Sequence, residues 1–205
     1  ASTYTGVTDI NTGTLVVTKL GSSTDPASTG TSVGVSGVTM DNTNAITIGN
    51  GTTGGAVLQY VGPGETSDRK IRINATTGSE QIHADGSGPL ILTNVANDMV
   101  DGAKTLFLRG TSTAGNMITS QLADRVGALG VTIDGSATWI LTNPTNSYTG
   151  TTSVTAGGLG IGHDSAIPAA SGLSLSNGVV FAYQGDRTLT NQLTLGNNAT
   201  SGFVG

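Results

Sequence analysis

Few side chains in this 205-residue chain could carry chemistry: it has 13 acids, 8 Lys and Arg together, 2 His and no Cys. Paired carboxylates at a fixed separation are the signature of glycoside hydrolysis, one as acid and the other as base or nucleophile. The acids that qualify are Asp98 and Asp101, with Asp124 and Asp134 further along. Asp98-Met99-Val100-Asp101-Gly102 reads more simply as a turn between strands, and only Lys104 and Arg109 stand nearby to supply positive charge. His163-Asp164 sets an imidazole beside a carboxylate, but neighbours on an extended strand point to opposite faces and cannot form an orienting pair. His83 fits an outward strand position. Gly157-Gly158-Leu159-Gly160-Ile161-Gly162-His163-Asp164 begins like a calcium-binding nonapeptide, yet Gly162 stands where the aspartate ligand is required and no tandem copy follows. Without cysteine there is neither a thiolate metal site nor a thiol nucleophile. No catalytic residue, metal ligand set or cofactor is therefore assigned. Glu65, Asp68, Arg69, Lys70, Arg72 and Glu80 form a charged island after the Gly62-Pro63-Gly64 turn. It reads as a solvated face of compensating signs, with a partner-binding patch as the alternative.

The rest of the composition describes what must hold such residues. Thr, Gly, Ser and Asn number 34, 32, 19 and 14, and charged residues are only 10% of the chain. Leu, Ile, Val and Phe are still frequent enough to build a core, so a disordered linker is excluded. A net charge of −5 gives no electrostatic footprint for nucleic acid. The longest clear apolar run, Val179 to Tyr183, is far short of a membrane span, so no membrane insertion of this segment is expected. A cysteine-free, acidic, Thr/Gly/Asn-rich chain fits an extracellular or bacterial cell-surface protein.

Strand-like alternation recurs at Ala45–Ile48, Lys70–Ile73, Thr105–Leu108, Val131–Ile133, Gly172–Leu175, Thr188–Thr190 and Leu193–Leu195. Each run puts Ile, Leu or Val on one face and Thr, Ser or charge on the other, with Gly, Asn, Asp and Ser between the runs, where Gly and Asn are expected to supply the positive-φ corners. Met117, Ile118, Leu122, Val126 and Leu129 instead recur at three to four residues, which admits a short helical turn near 116–127. Sandwich, barrel and solenoid all fit such spacing, and an internal repeat decides between them. Tyr4–Val17 aligns without a gap with Tyr148–Ile161, identical at six of fourteen positions. The likeness continues at Pro26–Gly30 with Pro168–Gly172 and at Ala45–Gly49 with Gln192–Gly196, so 1–49 matches 145–196. A solenoid explains this, because each rung buries only against its neighbours.

Trp139-Ile140-Leu141, Asn146-Ser147-Tyr148-Thr149-Gly150-Thr151-Thr152 and Ala156-Gly157-Gly158-Leu159 together resemble the autotransporter-associated β-strand repeat. The resemblance is strong over 130–196, fair over 2–49 and faint over 50–127. Its repeat-defining residues are Trp139, Leu141, Tyr148, Gly150, Gly157 and Leu159, with Tyr4, Gly6, Gly13 and Leu15 in the first copy. That first copy lacks the Trp-x-Leu half. The resemblance implies an all-β, right-handed parallel β-helix from the secreted passenger region of a bacterial surface protein. The strand runs suggest seven to nine rungs in a single solenoid segment, 1–205, that begins and ends inside its long repeat.

The expected function is structural: a non-enzymatic, adhesive β-solenoid, part of a surface passenger or filament. Self-association end to end, or continuation into a longer chain, is expected because neither end carries a polar cap. The residues that would make end-to-end contact are Tyr4, Ile10, Leu15, Val17, Phe203 and Val204. Host-surface or matrix glycans are candidate ligands. The alternatives are a bacteriophage fibre, which trimer formation would favour, and a glycan-binding or glycan-cleaving β-helix, which dependence on Asp98 or Asp101 would favour.

Overall fold

The computed structural model describes residues 2–26, 31–52, 54–196 and the backbone of 203–204. All its regular elements there are strands. They are β1 (Thr8–Ile10), β2 (Thr14–Val17), β3 (Ile46–Ile48), β4 (Val57–Tyr60), β5 (Glu65–Ser67), β6 (Ile71–Ile73), β7 (Ser79–Ala84), β8 (Leu90–Leu92), β9 (Val95–Ala96) and β10 (Lys104–Gly110). There follow β11 (Asn116–Ile118), β12 (Leu129–Ile133), β13 (Thr138–Leu141), β14 (Thr152–Val154), β15 (Gly158–Ile161), β16 (Leu173–Leu175), β17 (Val179–Ala182), β18 (Leu193–Leu195) and β19 (Phe203–Val204).

Every strand pairs in parallel with one from the rung before or after it. The first sheet runs β1-β3-β6-β9, the second β2-β4-β7-β10-β12-β14-β16-β18 and the third β5-β8-β11-β13-β15-β17-β19. The result is a parallel β-solenoid of six complete turns with a partial rung at either end, giving eight strand levels in its longest sheet. Register follows from parity. In the second sheet Leu58, Ile82, Leu108, Ile133, Val154 and Leu175 stack as one fully buried column. In the third, Leu90, Asn116, Trp139, Leu159 and Val180 form another. Each apolar member contributes roughly 1.5–3 kcal/mol by leaving water. A slip of one residue would turn the whole column outward.

The first sheet stops at β9, and the rungs shorten accordingly: Ile46 pairs with Ile71, 25 residues on, whereas Val131 pairs with Thr152, 21 residues on. In the shorter rungs Leu122, Tyr148, Ala166 and Ile167 fill the missing face with single buried side chains.

Three expectations need correction. No helical turn lies at 116–127: Asn116–Ile118 is β11, and Leu122 is buried at the corner that follows. The period of three to four mixed inward Ile118, Leu122 and Leu129 with Met117 on the outer face of β11 and the exposed Val126. Thr188–Thr190 is not a strand. Its Thr188 amide donates to Asp164 instead, and Leu189 packs against the core from a corner. Asparagine does not take the left-handed corners, which among the described residues fall to glycine and to Gln184. Asparagine side chains tie rungs together, as described next.

Candidate functional site

The repeat unit is the first place where side chains of defined role converge. Tyr148 is fully buried, its hydroxyl 2.8 Å from Thr152 Oγ1, and burial pushes its pKa up to about 12. Tyr4 is 43% exposed, yet its hydroxyl bonds Thr8 Oγ1 in the same i to i+4 relation. Gly13 and Gly157, equivalent in the repeat, turn the corner at φ 77° and 70°, where a side chain is strained. A Cβ on Gly157 would also lie 2.5 Å from the Ala137 carbonyl oxygen. Ile10, Val17, Val154 and Ile161 all point into the core. The two copies occupy different faces, however: β1 and β2 lie in the first and second sheets, β14 and β15 in the second and third. The unit is thus a strand–corner–strand bracket that can be set on either corner. Trp139 and Leu141 are core residues of β13, and Trp139 Nε1 donates to the Arg109 carbonyl at 3.0 Å. Leu159 is buried in β15, Leu15 packs partly against the core, and Gly6 and Gly150 precede the bracket's first strand.

Each acid weighed for catalysis has a structural partner. Asp98 binds Lys70 at 2.5 Å and Arg72 at 2.9 Å, Asp101 binds Arg125 at 2.6 Å, and Asp134 binds Arg109 at 2.5 Å. Partial burial alone would raise the Asp98 pKa, but hydrogen bonds and charge from Lys70 and Arg72 outweigh it and hold it below the ordinary value. Asp124 accepts from the amides of Leu129 at 2.7 Å and Thr149 at 3.1 Å, joining adjacent turns. His163 Nδ1 accepts from the Ser165 amide at 3.0 Å while Asp164 serves Thr188, so the two do not act as a pair. His83 faces outward from β7 and meets Gln81 Oε1 at 2.9 Å.

Corner asparagines act in the same way. Asn116 accepts from the Leu90 amide at 3.0 Å and donates to Ser112 O and Thr138 O at 3.0 and 2.9 Å, spanning three rungs. Asn146 accepts from Leu122 N and donates to Ala166 O, both at 2.8 Å. These bonds satisfy backbone groups that have no ladder partner at a corner.

The charged island is neither a solvated face nor a free patch. Its centre, Arg69, is fully buried and donates to the carbonyls of Leu20 (2.6 Å), Asn44 (2.8 Å) and Val35. Glu65 accepts from the amides of Leu20 and Gly21 at 2.6 and 3.2 Å. Asp68 accepts from the Ser23 amide at 2.8 Å and from its hydroxyl. Together they clamp the long first-rung segment after β2 along β5, the outermost strand of the third sheet. The edge is covered by side-chain bonds where a strand would otherwise pair. Adjacent charges in the sequence gave no sign of this, because the partners are backbone groups some 45 positions away.

Outward faces carry two further features. On the second sheet a groove of about 400 Å³ is lined by the hydroxyl-bearing side chains of Thr105, Thr132, Thr151 and Ser153 around Gly130. Beside it the Arg109 guanidinium lies 4.8 Å over the Phe107 ring. On the third sheet Ile91, Met117, Ile140 and Phe181 share one outward column, with the Phe181 ring over Gly160. Of the residues considered for end-to-end contact, Ile10 and Val17 are buried, Leu15 is half-buried and Tyr4 is exposed. Phe203 and Val204 pair with β17, and their side chains lie outside the described residues.

Comparison with known proteins agrees with this architecture. The family described as the passenger-associated-transport-repeat matches residues 1–17 and 131–161, the two stretches that contain the paired brackets. Over 143 residues, 68% of the chain, the sequence is 32% identical to the adhesin BmaC autotransporter of Brucella suis biovar 1 (strain 1330). The chain spans about 4% of that protein's length. No solved structure matches.

Replacing Arg69 with methionine keeps the length of the side chain but strands three carbonyls. Loss of the charged hydrogen bonds should cost about 3 kcal/mol or more. Hydrogen exchange should show residues 19–26 and 31–44 losing protection before any strand of the later rungs. Unchanged protection there would contradict the clamp.

Proposed function

The chain carries passenger-associated transport repeats of the autotransporter type, and from that premise we propose that it is a surface-exposed adhesive segment of a bacterial passenger, working as a scaffold rather than a catalyst. The observation that carries this reading is the pair of brackets, Tyr4–Val17 and Tyr148–Ile161, set within a parallel solenoid whose second sheet runs from β2 to β18. The acids that would be needed for hydrolysis support it too, since each is committed to holding one rung to another. A solenoid of this kind resists bending because every rung is hydrogen-bonded along its length, and it presents the same outward columns rung after rung for weak, repeated contacts. The likeness to an adhesin autotransporter supports an extracellular position.

A finer part of the proposal is self-association end to end. Leu193 and Leu195 continue two interior columns of the second sheet beyond Leu173 and Leu175, and they are 40% and 55% exposed. A further rung laid on β18 would cover them, whether it came from the same polypeptide or from a second copy.

Two measurements test the two parts. Because these 205 residues hold no cysteine, Val126→Cys at a position 75% exposed places one labelling site within them, to be compared in the host protein with the unsubstituted parent. A membrane-impermeant maleimide should label it on intact cells; labelling only after lysis would overturn the surface assignment. Sedimentation of the purified chain should show concentration-dependent growth that Leu195→Asp abolishes. A monomer at every concentration would remove end-to-end contact from the account.

A further inference from the structure

One charged side chain inside the solenoid is used by none of the interactions above. Glu80 lies on β7 at the same parity as Ile82 and Ala84, so it points inward, and it is fully buried. Its register neighbour on β10 is Leu106, and Ala56 precedes Val57, the partner of Gln81. Neither carboxyl oxygen accepts a hydrogen bond from any other residue. The carboxyl group rests against the corner made by Gly49 and Asn74. A Cβ on Gly49 would come within 2.9 Å of Glu80 Oε1 and 2.4 Å of the Asn74 carbonyl oxygen, so only glycine leaves the space.

The charged groups around it are few. On β10, Lys104 is also inward and buried, but its ammonium is bound to Asn97 Oδ1 at 3.1 Å and to the Val100 carbonyl at 2.5 Å. On β6, Arg72 is committed with Lys70 to Asp98 on the outside. His83 and Arg109 face outward from β7 and β10. Strands β3 and β4 hold no charged residue. An ionised carboxylate in this position would be buried without a partner, which is among the costliest arrangements a core can hold.

We propose that Glu80 is a proton switch built into the middle of the solenoid: it is carried as the neutral acid in the closed rungs, and its ionisation loosens the stack of β4, β7 and β10 while later rungs stay closed. The inference goes beyond the surface function and does not depend on it. Burial is the chief cause of the shift; the residue's own backbone amide and the Lys104 charge oppose it only in part, leaving the pKa at about 7 instead of 4.5. The sign follows by linkage. Below 4.5 the group is protonated whether the rungs are open or closed and has no effect. Between 4.5 and about 7 only the open form is ionised, so opening releases a proton and becomes easier as pH rises. Above about 7 the effect is fully developed and levels off. One proton allows at most a roughly tenfold increase in opening per pH unit.

Glutamates occur only at positions 65 and 80, so carbon-13 labelling of glutamate gives two carboxyl signals in the whole folded chain. One should titrate near neutral pH and vanish in Glu80→Gln. In parallel, hydrogen exchange corrected for its intrinsic pH dependence should accelerate with pH in β4, β7 and β10 and remain level in β14–β17. Glu80→Gln should flatten that dependence. Two signals titrating in the ordinary carboxylate range, or acceleration spread evenly over all rungs, would overturn the switch. So would a shift of the Glu80 signal on adding potassium or calcium, which would mean that a cation, not a proton, satisfies the carboxylate. Burial also raises the Glu65 carboxyl, so the two signals are told apart by sequential resonance assignment, and the assigned Glu80 titration reads the proposal even if Glu80→Gln fails to fold.

Discussion

Parallel stacking in register is the constraint from which the rest of this molecule follows. Strands of successive rungs sit about 4.8 Å apart, so whatever occupies one inward position is in contact with the inward residues above and below it. Leu58 to Leu175 is a column selected by that rule, with aliphatic side chains of similar volume at each level, whereas Leu90 to Val180 also takes in Asn116 and the larger Trp139. The same rule explains the scarcity of charge on the faces. A charge repeated up a column repels itself, whereas Thr and Ser can share hydrogen bonds from rung to rung.

Strand ladders satisfy backbone groups only along the faces, and the corners must be closed by other means. Glycine does so where the chain has to turn through a left-handed conformation, as at Gly13 and Gly157. Elsewhere side chains reach across to the adjoining turn: Asn116 and Asn146 to carbonyls and amides, Asp124 to the amide of Thr149, Arg69 to three carbonyls of the first-rung segment. The polar side chains of this protein are therefore largely internal fastenings. That is why Asp98, Asp101, Asp124 and Asp134 each meet a partner in an adjoining turn.

Much of the fold was legible in the sequence because parity is local. Alternation in Lys70–Ile73, Thr105–Leu108 and Val131–Ile133 identified strands, and the two brackets identified a solenoid. Parity also held information that charge concealed. Glu80 stands two residues before Ile82 and Lys104 two before Leu106, which assigns both to the interior; reading Glu80 by residue type placed it on a solvated face. The loss of the first sheet after β9 had no such signal. It depends on single corner residues such as Leu122 and Tyr148 replacing a strand, which leaves no period to detect. The role of Arg69 was hidden for a similar reason, since its partners are carbonyls whose identity a sequence does not specify.

The claim on which everything rests is the register itself, and disulfide trapping in this cysteine-free chain measures it directly. Thr132 and Ser153 are outward register partners on β12 and β14, whereas Thr155 lies two residues further along the chain from Ser153. Partners about 4.8 Å apart can be bridged by a disulfide, while positions beyond about 7 Å cannot without backbone movement. On mild oxidation the Thr132→Cys/Ser153→Cys chain should close quantitatively, and Thr132→Cys/Thr155→Cys should stay reduced. Closure of the second pair with the first left open would show that the rungs stack in a different register and would contradict the account.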